Sequence, residues 1–333
     1  MNNPNTIFIL GYPRSGTTWF ANLFNSHPDV AYRHEVIGRC YSYFSEQLFY
    51  KLKHDDGLAD QDYETALDII LSPNVESDRA PFFHKNHLML KSIRLHYLFW
   101  IAAKTLHPLG SIYKHLFYPR ADNLALVIKE TRSTVNMDSI LSGLRADKVV
   151  ILFRHPCGAL ASSLRGIESG KMTTSTAEMR RCWYTENIHK PYLRGLGIDE
   201  QQILELPRHK YLSILWAQQN EDYLAFTSTH YDKLFISYES FMKDKESNIT
   251  SLFSMLGLDY DPMVEDFIRS TSGSSEARTV MKDSSSNYYS VYRDEKFDPD
   301  KWRHELSAEH ISDIENLTAQ TYTRLLDNNI ATS

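Results

Sequence analysis

Two short segments carry the residue types best suited to chemistry. The first, Gly11-Tyr12-Pro13-Arg14-Ser15-Gly16-Thr17-Thr18, sits between an apolar run, Ile7–Leu10, and a stretch, Thr17–Asn25, whose Phe20, Leu23 and Phe24 recur at helical spacing. Against the triphosphate-binding pattern G-x-x-x-x-G-K-[ST], both glycines and the final Thr18 are in place, but Thr17 occupies the lysine position. Glycines let backbone N–H groups converge on an anion, and a helix starting near Thr17 aims its positive dipole end at the same point. Without the lysine that reaches β- and γ-phosphates, and with Arg14 entering from the other side, the loop suits a 5′-phosphate carrying another transferable group better than a triphosphate.

The second segment repeats the logic. Lys148–Phe153 reads as a buried strand, followed by Arg154-His155-Pro156 and a helix from about Gly158 that carries Ser162 and Ser163. In an open α/β sheet, ligands bind beyond the carboxyl ends of the strands, so Arg14 and Arg154 can face one crevice. An arginine fork with a serine hydroxyl makes a second phosphate clamp. Taken alone, Arg154 also reads as a surface arginine near a helix start.

These segments need a scaffold, and the chain offers an α/β one. Leu124–Ile128 and Lys233–Ser237 are further strand candidates, each beside a helical pattern, among them His209–Thr227, Ser251–Leu256 and Ala308–Leu326. The expected architecture is a P-loop-like three-layer fold: a central parallel sheet of four to five strands with helices on both faces. Residues 36–120, rich in aromatics and histidine, contain helical stretches such as Tyr63–Leu71 and Leu88–Thr105 and no clear strand, which predicts a helical insertion over the sheet. No linker divides the 333 residues, so a single domain spanning 1–333 is expected.

Composition narrows the partners. A net charge of −6 argues against nucleic-acid binding through a general basic surface and leaves room only for a local anion pocket. No apolar run reaches the roughly 18 residues of a membrane helix, and the polar start at Met1–Thr6 lacks the pattern of a secretory signal, so a cytoplasmic location is expected. The three cysteines, Cys40, Cys157 and Cys182, fit neither a disulfide framework nor a zinc site, and His84/His87 lack a third ligand, so no metal is expected.

Together, Tyr12-Pro13-Arg14-Ser15-Gly16-Thr17-Thr18-Trp19 and Phe153-Arg154 through Ser162-Ser163 resemble the two signature motifs of sulfotransferases that use 3′-phosphoadenosine 5′-phosphosulfate (PAPS). The resemblance implies that the first motif cradles the 5′-phosphosulfate, and that Arg154 and Ser162, eight residues later, take the 3′-phosphate. It thereby explains two phosphate clamps without a Walker lysine. The turn Ser26-His27-Pro28-Asp29-Val30, followed by Glu35, resembles the carbohydrate and tyrosyl-protein branch, as does Lys129 in Lys129-Glu-Thr-Arg132. Tyr238-Glu239 and Lys301-Trp302-Arg303 resemble late segments of bacterial-type members and add Tyr238, Trp302 and Arg303 as candidate nucleotide contacts. His155 and Cys157 depart from the residues usual at those positions, and the nucleotide loop, catalytic segment and dimer motif of the cytosolic branch are absent.

What the resemblance implies is transfer of a sulfuryl group to a hydroxyl, or less readily an amine, of a glycan, glycolipid or other small alcohol. Glu35 is the implied base, useful if burial raises its pKa toward neutrality. His34 is its rival, and in an extended segment the two adjacent side chains are expected to diverge. Arg14 and Lys129 supply positive charge. The aromatic groups Tyr41–Phe44, Phe82-Phe83 and Tyr97–Trp100 could stack on a sugar or phenolic acceptor or simply pack, and Gly166–Ala177 and Ser272–Asn287 are candidate gating loops. A P-loop kinase and a non-catalytic PAPS-binding module are the competing readings; the first needs a Walker-B strand that is not evident.

Overall fold

The computed structural model describes residues 4–55, 57–106, 108–120, 124–131, 136–227, 229–271 and 298–330. Five strands, β1 (Asn5–Leu10), β2 (Val30–His34), β3 (Ala125–Glu130), β4 (Lys148–Phe153) and β5 (Asp232–Ser237), form one sheet in the order β2-β3-β1-β4-β5, every neighbouring pair parallel. The expected parallel α/β class is observed. The fifth strand, β2, was not among the sequence-based candidates, because its Tyr32-Arg33-His34 run lacks the continuous apolar pattern of the other strands.

Strand alternation splits the core into two layers. Ile7 and Ile9 of β1, Val127 of β3 and Leu152 of β4 pack on one face with the helix Thr17–Ser26 and the helices Lys245–Met255 and Pro262–Thr271. Phe8 and Leu10, Ile128, Ile151 and Phe153 pack on the other with the helices Pro156–Glu168 and Arg208–Leu224. Burial of both faces is why these strands read as unbroken apolar runs.

Chain direction reverses across the middle of the sheet. From β1 the chain moves outward to β2 and back to β3, then crosses to β4 on the other side, so the carboxyl ends of β1 and β4 flank the switch point where open α/β sheets hold ligands. The loops leaving those two strands are the two segments singled out above.

Between β2 and β3 the chain forms helices at Val36–Arg39, Glu46–His54, Asp60–Leu71, Ile93–Thr105 and Leu109–Phe117, with no strand among the described residues. Leu88 to Ser92 precede the helix predicted to begin at Leu88; Ser92 caps it, its hydroxyl accepting from the Leu95 amide. Lys85, fully buried, donates to the carbonyls of Asn25, His27 and Val30 at 2.6, 2.9 and 2.7 Å, capping the end of the Thr17–Ser26 helix and fixing the turn into β2. Burial pushes its pKa down to about 7.

Candidate active site

The loop after β1 hugs the sheet. A Cβ on Gly11 would lie 2.4 Å from the Leu152 carbonyl of β4, so the first glycine is required by close backbone approach. Gly16 has φ 87°, and a Cβ there would strike the Tyr238 ring at 2.4 Å, so the second glycine answers both to a left-handed turn and to an aromatic lid. Arg14 is also left-handed, at φ 72°. The Thr17–Ser26 helix starts directly behind this turn with no side chain capping its first amides. Its N-terminal N–H groups and dipole therefore face the loop. Ser15 is buried, and its hydroxyl has no hydrogen-bond partner.

The two clamps meet. Arg14 Nε donates to Ser162 Oγ at 3.1 Å, and an Arg154 amino group donates to the Arg14 carbonyl at 3.3 Å. Arg154 lies over the Tyr238 ring, 5.4 Å from its centroid, and 3.7 Å from the Glu239 carboxylate, which also accepts from the His155 amide at 3.0 Å. Its Nε is buried without a hydrogen-bond partner. The helix carrying Ser162 begins at Pro156, two residues before the expected Gly158, because proline suits the first helical turn. His155 stacks on Trp302 with centroids 4.7 Å apart, so Trp302 stands one residue from Arg154. Arg303 lies over Trp302 and pairs with Asp300 at 3.0 Å, both side chains exposed. Trp19 packs on the Pro262–Thr271 helix and donates from Nε1 to Thr271 at 3.0 Å, while the backbone carbonyl of Thr18 accepts from Asn22. Pro13 is half-buried beside them.

At the carboxyl ends of β2 and β3, a second cluster forms around Glu35. Lys129 Nζ and Thr131 Oγ1 each donate to Glu35 Oε1 at 2.6 Å, and Arg39 reaches Oε2 at 2.9 Å. Burial would raise the Glu35 pKa, but the Lys129 charge, helped by His34 and by the hydrogen bonds from Lys129 and Thr131, overrides it and holds the carboxyl well below its usual range. This corrects the expectation of a carboxyl raised toward neutrality: its partner is a buried ammonium, not a purely apolar wall.

The expected divergence of His34 and Glu35 also fails. Glu35 has φ 52°, which breaks the strand alternation and brings its Oε1 to 3.8 Å from His34 Nε2. His34 in turn contacts the Tyr32 hydroxyl at 3.0 Å through Nδ1, and burial followed by the Lys129 charge keeps the imidazole well below its ordinary pKa.

Glu35 opens the short helix Val36–Arg39 but does not cap it. Glu130, fully buried on β3, does so instead, accepting from the Ile37 amide at 2.7 Å. Burial pushes Glu130 up to about 8. The Glu35 carboxylate is thereby left to Lys129. Glu130, Thr131, Arg39 and Glu239 were missed as site residues from sequence; Glu239 carried a signal, since it directly follows Tyr238 after a strand, whereas Arg39 shows its role only through the left-handed turn at Glu35. Arg132, in the Lys129 segment, and the candidate gating loop Ser272–Asn287 lie outside the described residues.

A sequence profile of the sulfotransferase family matches residues 4–262, and the chain belongs to that family. Among solved structures, similarity extends to the sulfotransferase domain of the Synechococcus PCC 7002 olefin synthase, with 18% identity over 97% of this chain and 96% of that one and a TM-score of 0.43. A mouse sulfotransferase, SULT7A1, complexed with PAP is similar at 15% identity over 97% and 87%, with a TM-score of 0.44. STF9 from Mycobacterium avium is similar at 11% identity over 97% and 77%, with a TM-score of 0.41. No curated protein matches the chain.

Proposed function

We propose that this sulfotransferase takes its sulfuryl group from PAPS and passes it to an acceptor hydroxyl of a glycan, glycolipid or other small alcohol. The observation that carries the reading is the meeting of Arg14, Ser162 and Arg154 at the ends of two adjacent strands. The residues suit a doubly phosphorylated nucleotide: the Ser15 hydroxyl and Arg154 Nε are buried polar atoms with no hydrogen bond of their own, Arg154 Nε being held only by its longer ion pair with Glu239, and the glycines let the loop run tight against β4 and the Tyr238 ring. In this reading Arg14, Thr17, Thr18 and the loop amides hold the 5′-phosphate, Arg154 and Ser162 the 3′-phosphate, and Trp19, Tyr238 and Trp302 border the base and ribose.

PAPS supplies an activated sulfuryl group whose S–O bond to the 5′-phosphate breaks as the acceptor oxygen attacks sulfur. The leaving electron pair ends on the phosphate, where Arg14 and the helix amides stabilise it. Glu35 takes the acceptor proton, while Lys129 neutralises charge beside it; the low pKa that Lys129 confers makes Glu35 a weak base, so the proton moves only as the new O–S bond forms and the attacking oxygen becomes strongly acidic. The reaction needs positioning and charge. Residues 36–120, within one domain spanning the chain, shape the acceptor side, because their first helix starts at Glu35.

The test is calorimetric titration with adenosine 3′,5′-bisphosphate and, separately, with ATP and magnesium. The bisphosphate should bind, and Arg154→Ala should weaken it by roughly 2–4 kcal/mol. Binding of ATP alone would overturn the reading. Turnover retained in Glu35→Gln would remove Glu35 as the base.

A further inference from the structure

The insertion carries a second feature, independent of the nucleotide site. Residues 85–120 hold six Lys or Arg and no Asp or Glu, in a chain whose net charge is −6. The segment folds into the two contacting helices Ile93–Thr105 and Leu109–Phe117. Their inner sides, Trp100 and Ala103 from the first, Tyr113 and Phe117 from the second, fill one small core of their own. Their outer sides are apolar as well. Leu95, Leu98 and Ile101, spaced three apart on one helical stripe, are 41%, 57% and 39% exposed, and Leu106 and Ile112 are exposed beyond them.

Scattered surface leucines need no explanation, but a stripe of them does. The charges around it say what covers it. Lys91, Arg94, Lys104 and Lys114 are all exposed, and among the described residues no carboxylate pairs with any of them. Lys104 instead lies over the Trp100 ring, 4.2 Å from its centroid. A helix pair that presents aliphatic side chains flanked by unneutralised cations is complementary to a surface that is apolar beneath and negative on top.

We infer that this helix pair is a docking surface for a bilayer rich in anionic phospholipid, on which the protein lies without crossing it. Leucine and isoleucine side chains enter the boundary between headgroups and acyl chains, and the lysines and Arg94 meet the phosphates. No helix among the described residues is long and apolar enough to span a membrane, so the contact is peripheral. His96 and Phe117 of the pair line a small cavity together with Phe82 and with Tyr32 and Arg33 of the edge strand β2. Docking there puts the membrane on the side of the molecule that the chain segment after Glu35 builds.

Sedimentation with vesicles tests it. The full chain should bind vesicles of phosphatidylcholine containing about one third phosphatidylglycerol and not phosphatidylcholine alone, and release as salt rises from about 0.1 to about 0.5 M. Replacing Lys91, Arg94 and Lys114 together by Gln should weaken binding roughly a hundredfold, at about fivefold per charge. Leu98→Asp with Ile101→Asp should abolish it while leaving far-UV circular dichroism and bisphosphate titration unchanged, which separates lost docking from lost folding. Equal binding to neutral and anionic vesicles, or unaltered binding by the aspartate variant, would overturn the inference. So would a wild-type dimer that the aspartate variant converts to monomer, since a second copy would then be the partner. Failure of bisphosphate binding alone would count against the proposed reaction and leave the docking surface standing.

Discussion

Replacing Lys129 by Met keeps an unbranched apolar stem in the sheet and deletes only the ammonium that Glu35 Oε1 contacts at 2.6 Å. The two side chains are 3% and 15% exposed, so water cannot take over the contact. Removing one member of a buried pair costs roughly 3–5 kcal/mol, because the remaining charge is left desolvated. Here Thr131 and Arg39 still hold the carboxylate, which places the expected loss near the lower end, about 3 kcal/mol. The carboxyl of Glu35 is depressed in the folded protein, so its stabilisation is complete above the ordinary value of 4.5 and is lost as pH falls through the folded value. The pairwise term can be isolated with Lys129→Met, Glu35→Gln and the double variant, each followed by denaturant unfolding. At about pH 7.5 the coupling should be about 3 kcal/mol, and it should shrink as the medium is acidified below the carboxylate range. A coupling below about 1 kcal/mol at neutral pH, or one that does not change with pH, would refute the claim that Lys129 sets the ionisation of Glu35.

Two further outcomes follow from the same geometry. Gly16→Ala places a Cβ into the Tyr238 ring at a left-handed backbone position and should lower bisphosphate affinity more than about tenfold, a left-handed residue alone costing about 1–2 kcal/mol; unaltered affinity by calorimetry would show that the loop does not need this turn. Glu130 is raised to about 8 by burial, so its effect on stability runs opposite to that of Glu35: the contribution is full below the ordinary 4.5 and is lost as pH rises to about 8. Glu130→Gln, which keeps an acceptor for the Ile37 amide, should flatten the thermal stability profile between those pH values and preserve turnover, whereas Glu130→Ala should lower turnover by freeing the helix that Glu35 opens. An identical pH profile in Glu130→Gln would assign that slope to other groups.

Much of this site is legible in the sequence because its chemistry is carried by local backbone. Gly11 and Gly16 announce a loop that must pass close to something, and the strand before it and the helix after it are both written in apolar spacing. Arg154 and Ser162 could be placed opposite that loop once parallel strands were expected, since parallel strands deliver all their following loops to one edge. The cluster around Glu35 was legible only in its members. Lys129 and Glu35 stand 94 positions apart, and nothing local states that the left-handed turn at Glu35 bends its carboxylate back toward β3. For the same reason β2 escaped: Arg33 is buried by giving its donors to the carbonyls of Tyr32, Ile70 and Leu71, a solution that depends on a helix in another part of the chain.

The bond between Arg14 and Ser162 joins residues 148 positions apart, and Arg154 reaches back 140 positions to the Arg14 carbonyl. Closing such long loops is slow, and it is rewarded only when β1 and β4 have found each other in register. The anion clamp therefore exists in no fragment of the chain and in no intermediate that lacks the central strand pair. Under the proposed function, the nucleotide that bridges the two loops recognises completed folding, and by mass action it deepens the native well by an amount that grows with the logarithm of its concentration. In a cell, supply of that nucleotide would then govern how long each copy survives proteolysis as well as how fast it turns over.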